Sequence, residues 1–274
     1  MGLHFTKMHG LGNDFMVIDA IRQTVRLNPT DIQALSRRDT GIGFDQCLLV
    51  EVSNRPDVDF FYRIFNANGT SVGQCGNGAR CLARFIQHYD LSSKKTLRVA
   101  TTTTELTLHI NPDNSVTVDM GCPVWEPKRI PFTEQDEADR YTIPLTNHPL
   151  VHIHAVALGN PHAVIRVDNL ERAAVDSLGP QIETHPRFPE HVNVGFFELD
   201  TSNHISLRVH ERGTGETRAC GSGAAAAAAV GRRFYGLDSK IRVSLPGGDV
   251  WVDTTGSLKL TGPATFVYEG ELLC

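Results

Sequence analysis

The chain lacks the marks of several large protein classes. It has no apolar run of transmembrane length; the stretch from Ala219 to Gly231 is uncharged but mostly alanine. That is well short of the roughly 20 residues a spanning helix needs, so no membrane role is expected. No secretory signal is read either, which points to the cytoplasm and to reduced thiols for the six cysteines. Neither charge dominates: 26 Lys and Arg stand against 31 Asp and Glu, a formal net charge of −5. Basic residues do not cluster, and Arg232-Arg233 reads most simply as a helix C-terminal pair, so nucleic acid is not an expected partner. There is no C-x₂-C pair, and Cys75 and Cys81 are six apart, off the spacings that share a helix face; no metal site is expected. Gly10-Leu11-Gly12 and Gly213-Thr214-Gly215 lack the third glycine and the strand-to-helix setting of a dinucleotide fingerprint.

What the chain does contain is a duplication. Its 274 residues leave room for two domains of about 130 each by the usual domain-size range. Gln74-Cys75-Gly76-Asn77-Gly78 is echoed by Ala219-Cys220-Gly221-Ser222-Gly223, and each motif opens a small-residue apolar run that reads as a helix. Leu11-Gly12-Asn13 is answered by Leu158-Gly159-Asn160; Gln46 follows Asn13 by 33 residues, as Asn193 follows Asn160. Arg63-Ile64-Phe65-Asn66 is answered by Arg208-Val209-His210-Glu211, nine residues before each cysteine. Registered self-similarity of this kind means two copies of one unit.

Around the helices the pattern is mostly strand. Asn28-Pro29-Thr30 opens a further short helix, and prolines recur from Pro123 to Pro149, the best place for a crossover. The expected fold is α/β (α+β): two pseudo-symmetric domains, each a curved, mostly antiparallel sheet or barrel around a central buried helix. The first comprises residues 1–120 with a returning C-terminal strand in 264–274, and the second residues 121–263. A helix made of alanine and glycine reserves no face for water, so it should be buried on every side.

Both cysteines would sit at a helix N-terminus, where unpaired N–H groups and the macrodipole lower a thiol pKa. One such cysteine is most often capping and packing; two in register are not. A duplicated fold can bring equivalent groups to opposite sides of one atom, as inversion of a stereocentre by proton transfer requires. The N–H groups near Gly76-Asn77 and Gly221-Ser222 could hold a carboxylate and the charge that develops on deprotonation. A cysteine protease would leave one cysteine unexplained, and a thiol redox switch would leave the repeated asparagines unexplained. The copies differ where Asn66-Ala67 becomes Glu211-Arg212, which breaks the symmetry and offers Arg212 as a fork for a second carboxylate. A proline-racemase-like enzyme acting on a smaller amino acid would have no need of it.

The segments Met8-His9-Gly10-Leu11-Gly12-Asn13-Asp14-Phe15, Gly43-Phe44-Asp45-Gln46, Cys75-Gly76-Asn77-Gly78-Ala79-Arg80-Cys81, Gly159-Asn160-Pro161-His162, Asn193-Val194-Gly195-Phe196 and Glu211-Arg212-Gly213-Thr214-Gly215-Glu216-Thr217 closely resemble the diaminopimelate epimerase family, as does the Cys220 motif. The resemblance spans essentially the whole chain. It implies a cofactor-independent epimerase that interconverts LL- and meso-diaminopimelate for lysine and peptidoglycan synthesis, with its site in the cleft between the two domains. By motif, Cys75 and Cys220 would be the acid/base pair, with His162 and Glu211 adjusting the thiol pKa values. Substrate contacts would come from Asn13, Gln46, Asn66, Gly76, Asn77, Asn160, Asn193, Glu211, Arg212, Gly221 and Ser222. Tyr268 resembles a C-terminal tyrosine at a homodimer interface. Thr101 to Thr104 departs from the family by filling a turn where relatives often carry glycine.

Overall fold

A computed structural model describes residues 2–73, 75–146 and 150–273. Gln74, Pro149 and Cys274 from the motifs and counts above lie outside the described residues. The chain divides into two compact units: residues up to Val118 together with those from Thr261 on, and Asp119–Leu260. The fold is α+β, mostly sheet, with four α-helices among the described residues.

In the first unit the order is β1 (Leu3–Gly10), β2 (Asn13–Asp19), α1 (Pro29–Ser36), β3 (Gln46–Val52), β4 (Phe60–Asn66), β5 (Ser71–Val72), α2 (Gly76–His88), β6 (Thr96–Ala100), β7 (Glu105–Ile110) and β8 (Val116–Gly121). β1 and β2 form a hairpin, and α1 carries the chain over to β3, which lies parallel to β2. β4 runs antiparallel to β3; after α2, β6 returns parallel to β4 and continues into the β6–β7–β8 meander. Local chemistry starts α1: Asn28 and Asp31 form a reciprocal capping box, with Pro29 in the first turn.

The second unit repeats this topology with β9 (Tyr141–Ile143), β10 (Val151–Ala157), β11 (Pro161–Arg166), α3 (Val175–Glu183), β12 (Asn193–Thr201), β13 (His204–Glu211), β14 (Gly215–Thr217), α4 (Gly221–Phe234), β15 (Lys240–Leu245), β16 (Gly248–Asp253) and β17 (Leu258–Gly262). β10 and β11 form the hairpin, β12 lies parallel to β11, β13 antiparallel to β12, and β15 parallel to β13. The register repeats too: Phe15 lies opposite Gln46 as His162 lies opposite Asn193. Each hairpin is extended by one strand from elsewhere in the chain. β18 (Thr265–Leu272) pairs antiparallel with β1, and β9 does the same for β10.

The central helix of each unit explains its own composition. α2 packs on β1, β2, β3 and β7, and α4 on β10, β11, β12, β13, β15 and β16. With strands on so many sides there is room only for small side chains, and Ala224 to Ala229 are all buried. The first turns are tighter still. A Cβ on Gly78 would lie 3.3 Å from Phe15 and 3.4 Å from Leu48, and one on Gly223 would lie 3.0 Å from Val209. These glycines let each helix start sit directly on its sheet. Arg80 is the departure from the small-residue pattern: it lies in α2, yet its side chain is fully buried.

Candidate active site

Each cysteine caps its helix. Cys75 stands at the N-cap of α2 in extended backbone, and its sulfur accepts the Gly78 N–H at 3.3 Å. Cys220 stands at the N-cap of α4 in the same extended conformation. The first-turn N–H groups of a helix have no carbonyl partner within the helix, a setting that favours negative charge.

Around Cys75 the first unit builds a directed set of amides. The thiol lies 3.8 Å from Asn13 Oδ1, and Asn77 Nδ2 donates to the same oxygen at 3.2 Å. Asn13 Nδ2 donates to Asp45 Oδ2 at 2.8 Å. The Asn77 carbonyl in turn accepts from Arg80 Nη2 at 2.9 Å. Behind Asn13, Asp14 is gripped by Lys7 at 2.7 Å and by both Arg38 Nη atoms at 2.9 Å, and Arg38 also reaches Asp45 at 2.8 Å. Burial alone would raise the Asp14 pKa, but the Arg38 and Lys7 hydrogen bonds and charges outweigh it and hold it at about 2. Gln46 Nε2 donates to Asn66 Oδ1 at 3.0 Å, which leaves the buried Gln46 Oε1 without a hydrogen-bond partner among the described residues.

The second unit places the equivalent residues differently. Asn160 reaches Ser222 Oγ at 3.4 Å through Nδ2 and His162 Nε2 at 3.0 Å through Oδ1. His162 is fully enclosed; burial first, then the nearby Arg212 charge, depress its pKa to about 3. It is therefore a neutral ring at ordinary pH and fixes Asn160 by hydrogen bonding rather than by charge. The Cys220 thiol lies 3.7 Å from Ser222 Oγ and hydrogen-bonds the Glu211 carboxylate, which also accepts from Thr217 Oγ1. Asn193 uses its amide within the chain: Nδ2 donates to the Pro161 carbonyl at 3.0 Å and Oδ1 accepts the Arg212 N–H at 3.0 Å. The Gly213 N–H bonds Glu183 at 2.7 Å, so the backbone of the Arg212 loop is pinned on both sides. The Arg212 side chain itself is exposed, with Nη1 on the Glu190 carbonyl at 3.0 Å.

Comparison with known proteins shows the family. The family described as diaminopimelate epimerase matches residues 5–126 and 154–267. A protein named diaminopimelate epimerase from Legionella pneumophila is 56% identical over 276 residues, covering 100% of both chains. One of the same name from Pseudomonas aeruginosa is 52% identical over 275 residues, covering 99% of each. The chain belongs to the diaminopimelate epimerase family. Among solved structures, a hydroxyproline epimerase from Agrobacterium vitis, with trans-4-hydroxy-L-proline bound, superposes with a TM-score of 0.70 at 13% identity, over 98% of this chain and 92% of that one. At that identity the likeness speaks for the fold.

For a member of the diaminopimelate epimerase family, the helix N-terminus does not by itself set the thiol pKa at Cys220. A helix N-terminus lowers a thiol pKa. Burial instead raises it well above the ordinary value, and the Glu211 carboxylate raises it further; the Gly223 N–H and Ser222 hydroxyl work the other way and lose. Sequence reasoning also missed the groups behind the site. Arg80, Asp45 and Asp14 stand within quoted motifs, Lys7 beside one and Arg38 outside them, but which of them reach Asn13 and Asn77 depends on strand register. The other cysteines are remote in character: burial pushes the thiols of Cys47 and Cys81 up to about 12, and Cys122 is exposed. Tyr268 lies on β18 at 45% exposure, with its ring edge-on to Phe5 at 6.0 Å. No helix among the described residues is long and apolar enough to cross a membrane.

Proposed function

We propose that this protein interconverts LL- and meso-diaminopimelate without a cofactor, by proton transfer through Cys75 and Cys220. What carries the reading is the equivalence of the two cysteines: each is the N-cap of the central helix in one copy of a duplicated unit. One thiolate removes the α-proton and becomes a thiol. The other thiol gives its proton to the opposite face and becomes a thiolate, so protons balance and only the configuration changes. The first-turn N–H groups of Gly76, Asn77, Gly221 and Ser222 are suited to the α-carboxylate and to the charge that develops on the α-carbon. The Cys220 environment favours its protonated form, the form an acid needs at the start of a turnover. Glu211 and the neutral His162 would set the thiol balance in the second copy, His162 by way of Asn160. Asn13, Gln46, Asn66, Asn160, Asn193 and Glu211 would orient the amino-acid groups.

The test is turnover of LL-diaminopimelate in deuterated buffer with no added cofactor. Inversion accompanied by deuterium at the inverted carbon is expected; inversion that retains the original hydrogen would rule out exchange through two thiols. Arg212 is assigned to the distal carboxylate, because its exposed guanidinium has donors beyond the one on Glu190 and its backbone is held. Arg212→Ala should raise KM by about ten- to a hundredfold, from roughly 1.5–3 kcal/mol for a charge-assisted contact. Initial-rate kinetics decide this, and an unchanged KM would remove Arg212 from the substrate. A proline-racemase-like specificity would instead leave KM insensitive to Arg212. On the same reading the protein is cytoplasmic and forms a homodimer in which β18 presents Tyr268, next to the exposed Val267.

A further inference from the structure

Four side chains of the first unit form a single chain of hydrogen bonds that runs from a cation to an anion. Arg80 Nη2 donates to Asn77 Oδ1 at 2.9 Å, Asn77 Nδ2 to Asn13 Oδ1 at 3.2 Å, and Asn13 Nδ2 to Asp45 Oδ2 at 2.8 Å. An amide has one accepting end and one donating end, a guanidinium only donates and a carboxylate only accepts. With a fixed donor at one end and a fixed acceptor at the other, both amides can point only one way. Reversing Asn77 would set its NH₂ against the guanidinium, and reversing Asn13 would set its carbonyl against the Asp45 carboxylate. At the Arg80–Asn77 end, where both side chains are buried, such a mismatch is costly because water is not there to relieve it. Arg80 has no solvent exposure at all, so it cannot swing aside to permit the reversal.

The consequence falls on Cys75, whose sulfur lies 3.8 Å from Asn13 Oδ1. An amide oxygen accepts from a thiol S–H and repels a thiolate, whereas an amide NH₂ would do the reverse. We infer that Asp45 and Arg80 are positioning residues that lock the amide of Asn13 with its oxygen toward Cys75, and so set the balance between thiol and thiolate there. The cluster behind them has the same purpose. Arg38, bound to Asp14 and Asp45 together, holds the Asp45 carboxylate in place. Among the described residues the second unit has no such chain at the equivalent position: Pro161 and Val192 stand where Asp14 and Asp45 stand in the first, and Asn160 is held by His162 instead. The two thiols of a duplicated fold are thereby tuned by different devices, as two groups of opposite initial protonation require. The inference rests on the reading of Cys75 as an acid/base group, but its test does not.

The test measures the rate of Cys75 alkylation by iodoacetamide against pH, resolved from the other cysteines by peptide mapping, so that no turnover is involved. Asp45→Asn and Asp45→Ser each replace a group that only accepts by one that can also donate, and the side chain at 45 is 42% exposed, so either is compatible with folding. Reversal of the Asn13 amide then carries one mismatch, against the Asn77 NH₂, in place of two, so its NH₂ faces the sulfur in part of the molecules; the thiolate fraction near neutral pH should rise about three- to tenfold, with alkylation faster by the same factor. The same substitutions are then made in an Asn13→Ala background. Loss of the acceleration there means that Asp45 acts through the Asn13 amide. Equal acceleration in both backgrounds would mean that Asp45 acts by its charge alone, and an unchanged profile in the single variants that it does not act on Cys75; either result overturns the inference. Abolished epimerisation in Cys75→Ala, measured separately, keeps the assignment of the thiol itself independent of this outcome.

Discussion

Replacing Cys75 or Cys220 by alanine should abolish epimerisation in both directions, with kcat down by about 10²–10⁴-fold or beyond detection. The reason is geometric: a single thiol reaches one face of the α-carbon and can only return a proton to the face it came from. Each variant should therefore still exchange solvent deuterium into one stereoisomer without inverting it, and the two variants should do so with opposite stereoisomers. Their effects on stability should differ. Cys75 is only half-buried, and its replacement should shift thermal unfolding little. Cys220 is 4% exposed, and removal of its sulfur leaves a small void worth about 1 kcal/mol. Deuterium exchange resolved by NMR on each pure stereoisomer decides the matter, and near-normal inversion by either variant would refute the two-thiol assignment.

Acid should destabilise the protein through His162 well before the carboxylates titrate. The folded pKa of about 3 lies below the 6.5 of an unperturbed histidine, so the unfolded chain takes up the proton first. The stabilising contribution is present in full above pH 6.5 and is lost as the pH falls from there toward 3. The slope from this one residue is up to about 1.4 kcal/mol per pH unit, and His154 and His185, also depressed by burial, add to it. His162→Phe installs in the second copy the residue that Phe15 supplies at the same register in the first. The variant loses the hydrogen bond to Asn160 but should show a shallower fall in unfolding free energy between pH 6.5 and 4.5. Denaturant titrations at several pH values measure it. A slope equal to that of the unaltered protein would mean that His162 is not the group taking up the proton.

Much of the fold was legible in the sequence because duplication leaves registered marks. The matched Leu-Gly-Asn turns, the matched distances to Gln46 and Asn193, and the matched cysteine motifs require one topology used twice. The Asn28 capping box and the two cysteine helices follow from cap and pattern chemistry that acts within a few residues, and the return of a C-terminal strand to β1 from a strand left over beyond the second copy. Family membership was equally legible, since it is carried by short motifs spread along the whole chain.

Tertiary structure alone decided how each site residue is used. Arg80 reads in sequence as one more helix residue; only enclosure by the sheet makes it a buried cation whose donors must point at Asn77. Asp45 is brought beside Asn13 by the parallel pairing of β2 and β3, a contact between residues 32 apart that no local pattern announces. The thiol pKa of Cys220 shows the same limit with opposite sign. Helix position favours the thiolate and can be read from the motif, but desolvation and the neighbouring Glu211 carboxylate favour the thiol, and both depend on what packs around the helix start. Caps, turns and repeats act through neighbouring residues, so the sequence determined them. Burial and electrostatics sum over everything within several ångströms, so only the folded chain determined the state of the Cys220 thiol.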